Sequence, residues 1–171
     1  TSRGMIQCKS AEVGDRVWTG SGWDELEYIL ETSIPGGKID LVQLGELLVT
    51  PWHPVKHEGR WCFPSSIGPT VARACGRVYS FVLKDRTPTL QVGDQLAITL
   101  AHGLLDDIAK HEFWGTEKVV RAFETADLMG WRGPRKVKLL PSQVERLGDT
   151  VTGLSMPPAT ASDRGWVQLA G

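Results

Sequence analysis

The chain carries four histidines, and all of them lie in its middle part. Two of them follow strand-like runs: His53 is followed by Pro54, and His102 is followed by Gly103. A histidine at the end of a strand, beside proline or a turn, is presented rigidly. Imidazole titrates near neutral pH, so it can protonate a departing amine and then take the proton back. His53 and His102 are therefore candidates for general acid–base catalysis, and the alternative is that both are structural.

A zinc site is the competing interpretation of the same part of the chain. Histidine and cysteine are ligand types that zinc prefers. The candidates are His53, His57, His102, His111, Cys62 and Cys75. The spacing of His53 and His57 suits a helix, but Pro54 disfavours a helix across that pair. The cysteines form no Cys-x-x-Cys pair. We therefore expect no metal and no other cofactor.

Composition bounds the class of protein. The chain has 171 residues, of which 41% are hydrophobic and 23% charged, and this balance is typical of one globular domain. Its formal net charge of -1 provides no overall field that would collect nucleic acid or an anionic membrane. We therefore expect neither as a partner, and we expect a monomer.

Cysteine usage and apolar runs indicate the compartment. The three cysteines are an odd number at wide spacings, which argues against a disulfide framework. The apolar runs fall far short of the roughly 18 residues that span a bilayer, and the N-terminal residues lack the profile of a secretory signal. These features favour a reducing compartment, and we expect the cytoplasm.

Short strands are the elements that must position the histidines. A Gly14-Asp15 turn begins a hairpin, and alternating or β-branched apolar residues predict further strands. These strands cover residues 28–32, 39–44, 47–50, 77–83 and 95–100. Tryptophans in this part of the chain, Trp52 among them, are expected to fill a small β core. The resulting pattern is a β-meander with His53 and His102 at strand ends.

The pattern changes after His102. Thr116 is a suitable N-cap for a helix that begins at Glu117, and Gly130 is a suitable stop. From Trp131 onward, Gly-Pro pairs and a basic stretch predict an irregular tail, interrupted by a short helix over residues 142–147. The basic stretch is interpreted as a solvated face.

Several of these motifs together resemble a known family. They are the Gly14-Asp15 turn, the strand at residues 78–80, Thr-Pro-Trp-His at residues 50–53, and Thr-Leu-Ala-His at residues 99–102. Their order resembles the Hint domain of hedgehog and intein autoprocessing proteins. The Thr-Pro-Trp-His-Pro-Val, Thr-Leu-x-His-Gly and His-Glu-Phe-Trp-Gly motifs are most similar to the Hint region attached to von Willebrand type A proteins. The resemblance runs from about residue 13 to about residue 121.

The resemblance implies a mostly β, Hint-like fold with a C-terminal helical segment and an irregular tail. Residues 1–115 would form the autoprocessing domain, and residues 116–171 would form a helix and an irregular extension packed on it. The implied activity is self-cleavage of the N-terminal peptide bond through an ester or thioester. His53 would protonate the scissile amide nitrogen, Thr50 would orient that amide, and His102 would occupy the position of the intein histidine that assists cleavage at the far end.

The sequence departs from the family at two points. An intein follows the second histidine with an asparagine that cyclises, whereas this chain has Gly103 there and contains no asparagine. Splicing by that route is therefore not expected. The family's nucleophilic cysteine stands well before the Gly-Asp turn, so we expect it upstream of this chain or lost, with Thr1 or Ser2 as hydroxyl substitutes. Cys8 is expected to be a buried structural thiol in a strand over residues 5–9.

The resemblance also implies partners. An autoprocessing domain acts on its own N-terminal flanking polypeptide, and the closest sub-type joins a von Willebrand type A domain. The alternative function is a degenerate, non-catalytic Hint module that links or docks such a partner.

Overall fold

The fold is mostly β, as the sequence predicts. The computed structural model describes residues 4–128 and 135–155. Its strands are β1 (Arg16–Trp18), β2 (Trp23–Ser33), β3 (Lys38–Leu44), β4 (Leu47–Val49), β5 (Val55–His57), β6 (Arg60–Cys62), β7 (Thr70–Ala74), β8 (Arg77–Leu83), β9 (Thr89–Val92), β10 (Gln95–Ile98), β11 (Lys136–Leu139), β12 (Val144–Leu147) and β13 (Thr150–Leu154). Its α-helix is α1 (Glu117–Leu128).

Strand β2 organises the first sheet. It pairs antiparallel with β1 and β8, and parallel with β11. A second sheet has the order β6-β5-β10-β9, a third has the order β4-β3-β7, and β12 and β13 form a separate hairpin. The chain passes from the third sheet to the second between β4 and β5, and this connection carries Thr50 and His53.

Helix α1 is part of the largest hydrophobic cluster. Its residues Val119 and Phe123 are fully buried, and the Phe123 ring centroid lies 5.5 Å from that of Tyr28 on β2. Val137 and Leu139 of β11 belong to the same cluster. The helix therefore shares its core with the first sheet. No helix among residues 4–128 and 135–155 is long and apolar enough to cross a membrane.

The predicted elements of the first part of the chain are confirmed, and so is the start of the helix. The N-terminal hairpin and the five strands are present, and the strand predicted over residues 77–83 has the bounds of β8. The Thr116 hydroxyl oxygen accepts a hydrogen bond from the Lys118 N–H at 3.3 Å, as expected of an N-cap. The predicted stop at Gly130 lies outside the described residues.

The C-terminal part differs from the sequence interpretation in two ways. The helix predicted over residues 142–147 is wrong, because a short 3-10 turn at Pro141–Gln143 leads into β12, which pairs with β13. Strand β11 was not predicted. Its Val137 and Leu139 are buried and alternate with Lys136 and Lys138, so these two lysines of the basic stretch lie on the other face of a strand. The division of the chain at residues 115 and 116 stays a prediction.

Two further expectations about side chains are corrected. Cys8 begins a 3-10 turn, Cys8–Ser10, instead of lying within a strand. Trp52 does not fill the core, because the residue is 71% exposed; its ring lies edge-on to Phe63, with ring centroids 5.5 Å apart. It stands in the turn that leaves β4, where no sheet covers it. Trp18 is likewise 39% exposed.

The shared core predicts that α1 and the first sheet unfold together. Replacing Phe123 with alanine should lower the free energy of unfolding by about 3–5 kcal/mol, because it leaves a cavity in this cluster. Leu147→Ala, at a side chain that is 78% exposed, is the control and should change it by less than about 0.5 kcal/mol. Urea unfolding followed by circular dichroism and tryptophan fluorescence provides the measurement. Loss of helical signal ahead of the fluorescence transition would contradict the shared core.

Candidate functional site

The turn that carries His53 is docked on the last residue of β10. The His53 N–H donates to the carbonyl of Thr50 at 3.2 Å and closes the turn. The Ile98 N–H donates to the Pro54 carbonyl at 3.0 Å, and the Ile98 carbonyl lies 3.0 Å from Nε2 of His53. Ile98 therefore holds this turn with both of its backbone groups.

This contact fixes the proton position on His53. A carbonyl oxygen only accepts, so Nε2 must carry the hydrogen, and in the neutral ring the lone pair is then on Nδ1. Burial lowers the pKa of His53 below its ordinary value of 6.5, and the bond to Ile98 acts in the opposite direction. Since burial is the larger effect, the neutral imidazole predominates at pH 7. The arrangement offers a proton acceptor at Nδ1.

The chain beyond Ile98 is bonded to other segments at each residue. The Thr99 N–H donates to the Pro88 carbonyl at 3.0 Å, and the Thr99 hydroxyl donates to the Thr87 carbonyl at 2.7 Å. The Leu100 N–H donates to the Phe81 carbonyl of β8 at 2.8 Å. Residues 98–100 therefore join the second sheet to the first, and His102 lies two residues further on.

His102 stands between two residues with left-handed backbone conformations. Ala101 has a φ of 56° and Gly103 a φ of 68°. The Ala101 N–H donates to the Trp114 carbonyl, and the Gly103 N–H donates to the Gly115 carbonyl, each at 2.8 Å. A left-handed alanine is uncommon and is kept only where its surroundings enforce it. The two bonds provide that enforcement and fix the backbone on either side of His102.

The His102 imidazole is also fixed by a backbone hydrogen bond, but this bond engages Nδ1, whereas the bond of His53 engages Nε2. Nδ1 accepts the Leu104 N–H at 2.9 Å, so the neutral ring carries its hydrogen on Nε2. The pKa of His102 is lowered by burial first, and then by the charges of His111 and His53. The imidazoles of His53 and His102 bond to different backbone groups, those of Ile98 and Leu104.

The structure thus places the predicted site residues as follows. Thr50 directly follows β4 and is half-buried, and its carbonyl closes the turn of His53. His53 bonds to Ile98, the first residue of the segment 98–102, and His102 is the last residue of that segment. The catalytic roles of Thr50, His53 and His102 stay a prediction.

The other ligand-type residues do not join this arrangement. His111 accepts the N–H groups of Phe113 and Trp114 on its Nδ1, at 3.2 and 3.1 Å, and so stabilises its own turn. His57 is exposed on β5. Within the described part of the chain, no group of three or more His, Cys, Asp or Glu side chains comes together in a way that could hold a metal ion.

The candidate nucleophiles divide into two sets. Thr1 and Ser2 lie outside the described residues. Cys8 is partly buried and packs on the cluster beneath β1, β2 and β8. Burial raises the pKa of the Cys8 thiol, which disfavours the thiolate that would attack a carbonyl.

Two parts of the site were missed by sequence analysis. The Ile98 carbonyl holds His53 across 45 residues of chain, and no residue type signals that contact. Gly115 lies against the His102 ring, because a Cβ there would come 3.0 Å from Cε1 and 3.1 Å from Nε2. The His-Glu-Phe-Trp-Gly motif was noticed, but it suggested no role for its glycine.

Comparison with known families agrees with the motifs. The model of the family Vint, described as a Hint domain, matches residues 1–154. The chain belongs to this family of Hint domains. The match extends beyond the predicted limit near residue 121 and includes α1, β11, β12 and β13 of this Hint domain. The search of curated proteins gave no match.

The buried histidine makes stability depend on pH. As pH falls through 6.5, His53 binds a proton more readily in the unfolded chain than in the folded Hint domain, so the free energy of unfolding decreases. His53→Gln cannot titrate and keeps an amide donor for Ile98. Between about pH 7.5 and about pH 5.5, the variant should lose about 1 kcal/mol less stability than the wild type, as measured by urea unfolding. An equal loss in both proteins would contradict a lowered His53 pKa.

Proposed function

We propose that this Hint domain cleaves the peptide bond at its own N-terminal side through an acyl shift, with His53 as the acid–base group. The observation that carries the proposal is the bond between Nε2 of His53 and the Ile98 carbonyl, which leaves the Nδ1 lone pair for the reaction. A base of this kind must be neutral near pH 7, and burial of His53 favours that form.

The reaction needs two proton movements. A hydroxyl or thiol side chain at the junction attacks the preceding carbonyl carbon and gives its proton to Nδ1 of His53, while negative charge develops on the carbonyl oxygen. The carbon–nitrogen bond then breaks, and the proton passes from Nδ1 to the leaving nitrogen. The products are an ester or thioester and a free amine. The Thr50 hydroxyl would orient the scissile amide.

Rigidity is the contribution of the fold. An amide is stabilised by resonance, so the shift to an ester requires a site that holds the reacting groups in place. The turn of His53 meets this requirement through three hydrogen bonds. The His53 N–H donates to the Thr50 carbonyl, the Ile98 N–H donates to the Pro54 carbonyl, and Nε2 of His53 donates to the Ile98 carbonyl. Water is the proposed acceptor that hydrolyses the ester. Because Gly103 follows His102 and the chain has no asparagine, cleavage without splicing is the proposed outcome.

A second candidate function is a non-catalytic Hint module. The observation that favours it is the packing of Cys8 on a hydrophobic cluster, where its thiol is a poor nucleophile. Such a module would link or dock a partner, and a von Willebrand type A domain is the partner that the sequence resemblance suggests. In the autoprocessing proposal the partner is the N-terminal flanking polypeptide of the same chain, and the domain acts as a monomer.

Cleavage of a fusion tests the proposal. A reporter protein is joined through whichever residues precede Thr1 in the natural polypeptide, and fragment formation is followed on gels with and without hydroxylamine, which traps esters and thioesters. His53→Ala should slow cleavage by about 100-fold to 10,000-fold, because general acid–base catalysis is lost. His57→Ala, at an exposed histidine on β5, is the matched control and should cleave at the wild-type rate.

Two outcomes would contradict the proposal. Unchanged cleavage by His53→Ala would remove His53 from the mechanism. A wild-type fusion that gives no fragment, even with hydroxylamine, would favour the non-catalytic module.

A further inference from the structure

The segment of residues 111–115, which carries the His-Glu-Phe-Trp-Gly motif, packs against His102 and its two neighbours in the chain. Its Trp114 and Gly115 carbonyls accept the N–H groups that precede and follow His102 in the chain, those of Ala101 and Gly103. Phe113 is 3% exposed and anchors the segment in the largest hydrophobic cluster. The segment therefore ties the backbone at His102 to the core.

The segment also holds its own shape. His111 accepts two backbone N–H groups on Nδ1, from Phe113 and Trp114, and its carbonyl accepts the Gly115 N–H at 2.9 Å. These bonds close a compact turn whose last residue, Gly115, lies against the His102 ring.

Glycine at position 115 is required by space and not by backbone conformation. Gly115 is absent from the glycines with positive φ, so its backbone accepts other residues. A Cβ there would lie 3.0 Å from Cε1 and 3.1 Å from Nε2 of His102, and 2.8 Å from the His111 carbonyl oxygen. The His102 ring thus occupies the place that a side chain at position 115 would need.

We propose that residues 111–115 form a clamp that fixes His102 as a hydrogen-bond donor to the reacting carbonyl oxygen, with Gly115 as its positioning residue. The Nδ1 lone pair of His102 is occupied by the Leu104 N–H, so the neutral ring offers only its Nε2–H. That N–H stabilises the negative charge on the oxygen while the junction nucleophile attacks, and no proton is transferred to or from His102.

This assignment rests on the proposed acyl shift and divides its work between two imidazoles. His53 presents a lone pair on Nδ1, and His102 presents a hydrogen on Nε2. One can take a proton from the nucleophile, and the other can stabilise the oxyanion. His102 thereby has a role in cleavage of the N-terminal bond. In inteins the corresponding histidine assists an asparagine that cyclises, and this chain has no asparagine.

Substitutions at His102 test the donor role. His102→Ala should slow cleavage of the reporter fusion by about 100-fold to 1,000-fold, the usual effect of removing one oxyanion donor. His102→Gln keeps an N–H donor but is not a base, and it should cleave at least about tenfold faster than His102→Ala. Equal rates for the alanine and glutamine variants would overturn the donor role.

Two glycines provide a matched test of the clamp. Gly115→Ala should slow cleavage by about tenfold to 100-fold, because a displaced ring misplaces its donor. Gly76→Ala is the control, since Gly76 also has no positive φ and its Cβ would meet nothing within 4 Å. This control should cleave at the wild-type rate.

A double variant separates the clamp from general damage to the fold. In the His102→Ala background, Gly115→Ala should cause no further loss of rate, because the ring that it displaces is gone. A loss of the same size in both backgrounds would place the effect at the His111 carbonyl and overturn the positioning role.

Nuclear magnetic resonance tests the clamp without any cleavage. Long-range proton–nitrogen spectra of the full chain should show His102 with its hydrogen on Nε2 in the wild type and in Gly76→Ala, and a changed imidazole signal in Gly115→Ala. An Nδ1–H tautomer in the wild type, or an unchanged signal in a folded Gly115→Ala, would overturn the clamp. A wild-type fusion that does not cleave would refute the proposed function, and these spectra would still decide the clamp.

Discussion

The two backbone hydrogen bonds of Ile98 are the constraint on which the site depends. The N–H group holds the Pro54 carbonyl, and the carbonyl holds the His53 ring. Neighbouring backbone groups along a strand point to opposite sides, so a shift of β10 by one residue would remove both partners at once. The proton position on His53, and with it the chemistry available at Nδ1, is therefore set by strand register.

A partly buried polar network, centred on buried Asp24 and Thr99, supports this register. Asp24 on β2 is 5% exposed and accepts the Thr87 hydroxyl at 2.6 Å and the Asp85 N–H at 3.2 Å. The carbonyl of Thr87 in turn accepts the hydroxyl of Thr99, the residue next to Ile98. Breaking such bonds leaves the buried groups of Asp24 and Thr99 without these partners, so the bonds make this part of the structure rigid. The first sheet thus fixes the segment that presents the two histidines.

The sequence predicted the parts of the fold that depend on local pattern. Alternation over residues 77–83 identified β8, and Thr116 identified the start of α1, because periodicity and capping are properties of neighbouring residues. The same reasoning failed at β11, where lysines on the outer face concealed the buried Val137 and Leu139. It also misplaced Trp52, since residue type indicates burial only on average.

The site was predicted less completely than the fold, for a physical reason. Thr50, His53 and His102 were selected by type and by their place at strand ends. The groups that give the histidines their chemistry are a backbone carbonyl at Ile98 and a backbone N–H at Leu104. Every residue but proline carries both groups, so only tertiary structure determines which of them meet an imidazole. Gly115 was missed as well, because it matters only through the space that the His102 ring occupies beside it, and the sequence does not show that contact.

After His102 the backbone folds back onto the imidazole, and this keeps the histidine ordered in a Hint domain whose sequence has no asparagine. Gly103 turns the backbone with a φ of 68° and directs its N–H to the Gly115 carbonyl, so the chain folds back and packs on the imidazole that it has just left. The ring is then held from three directions: by the Leu104 N–H at Nδ1, by Gly115 at its edge, and by the left-handed Ala101 before it. A surface histidine without a role needs none of these constraints, and left-handed alanine is unfavourable unless the surroundings compensate for it. The local strain and the fixed tautomer give His102 a defined orientation, and its role in cleavage stays a prediction.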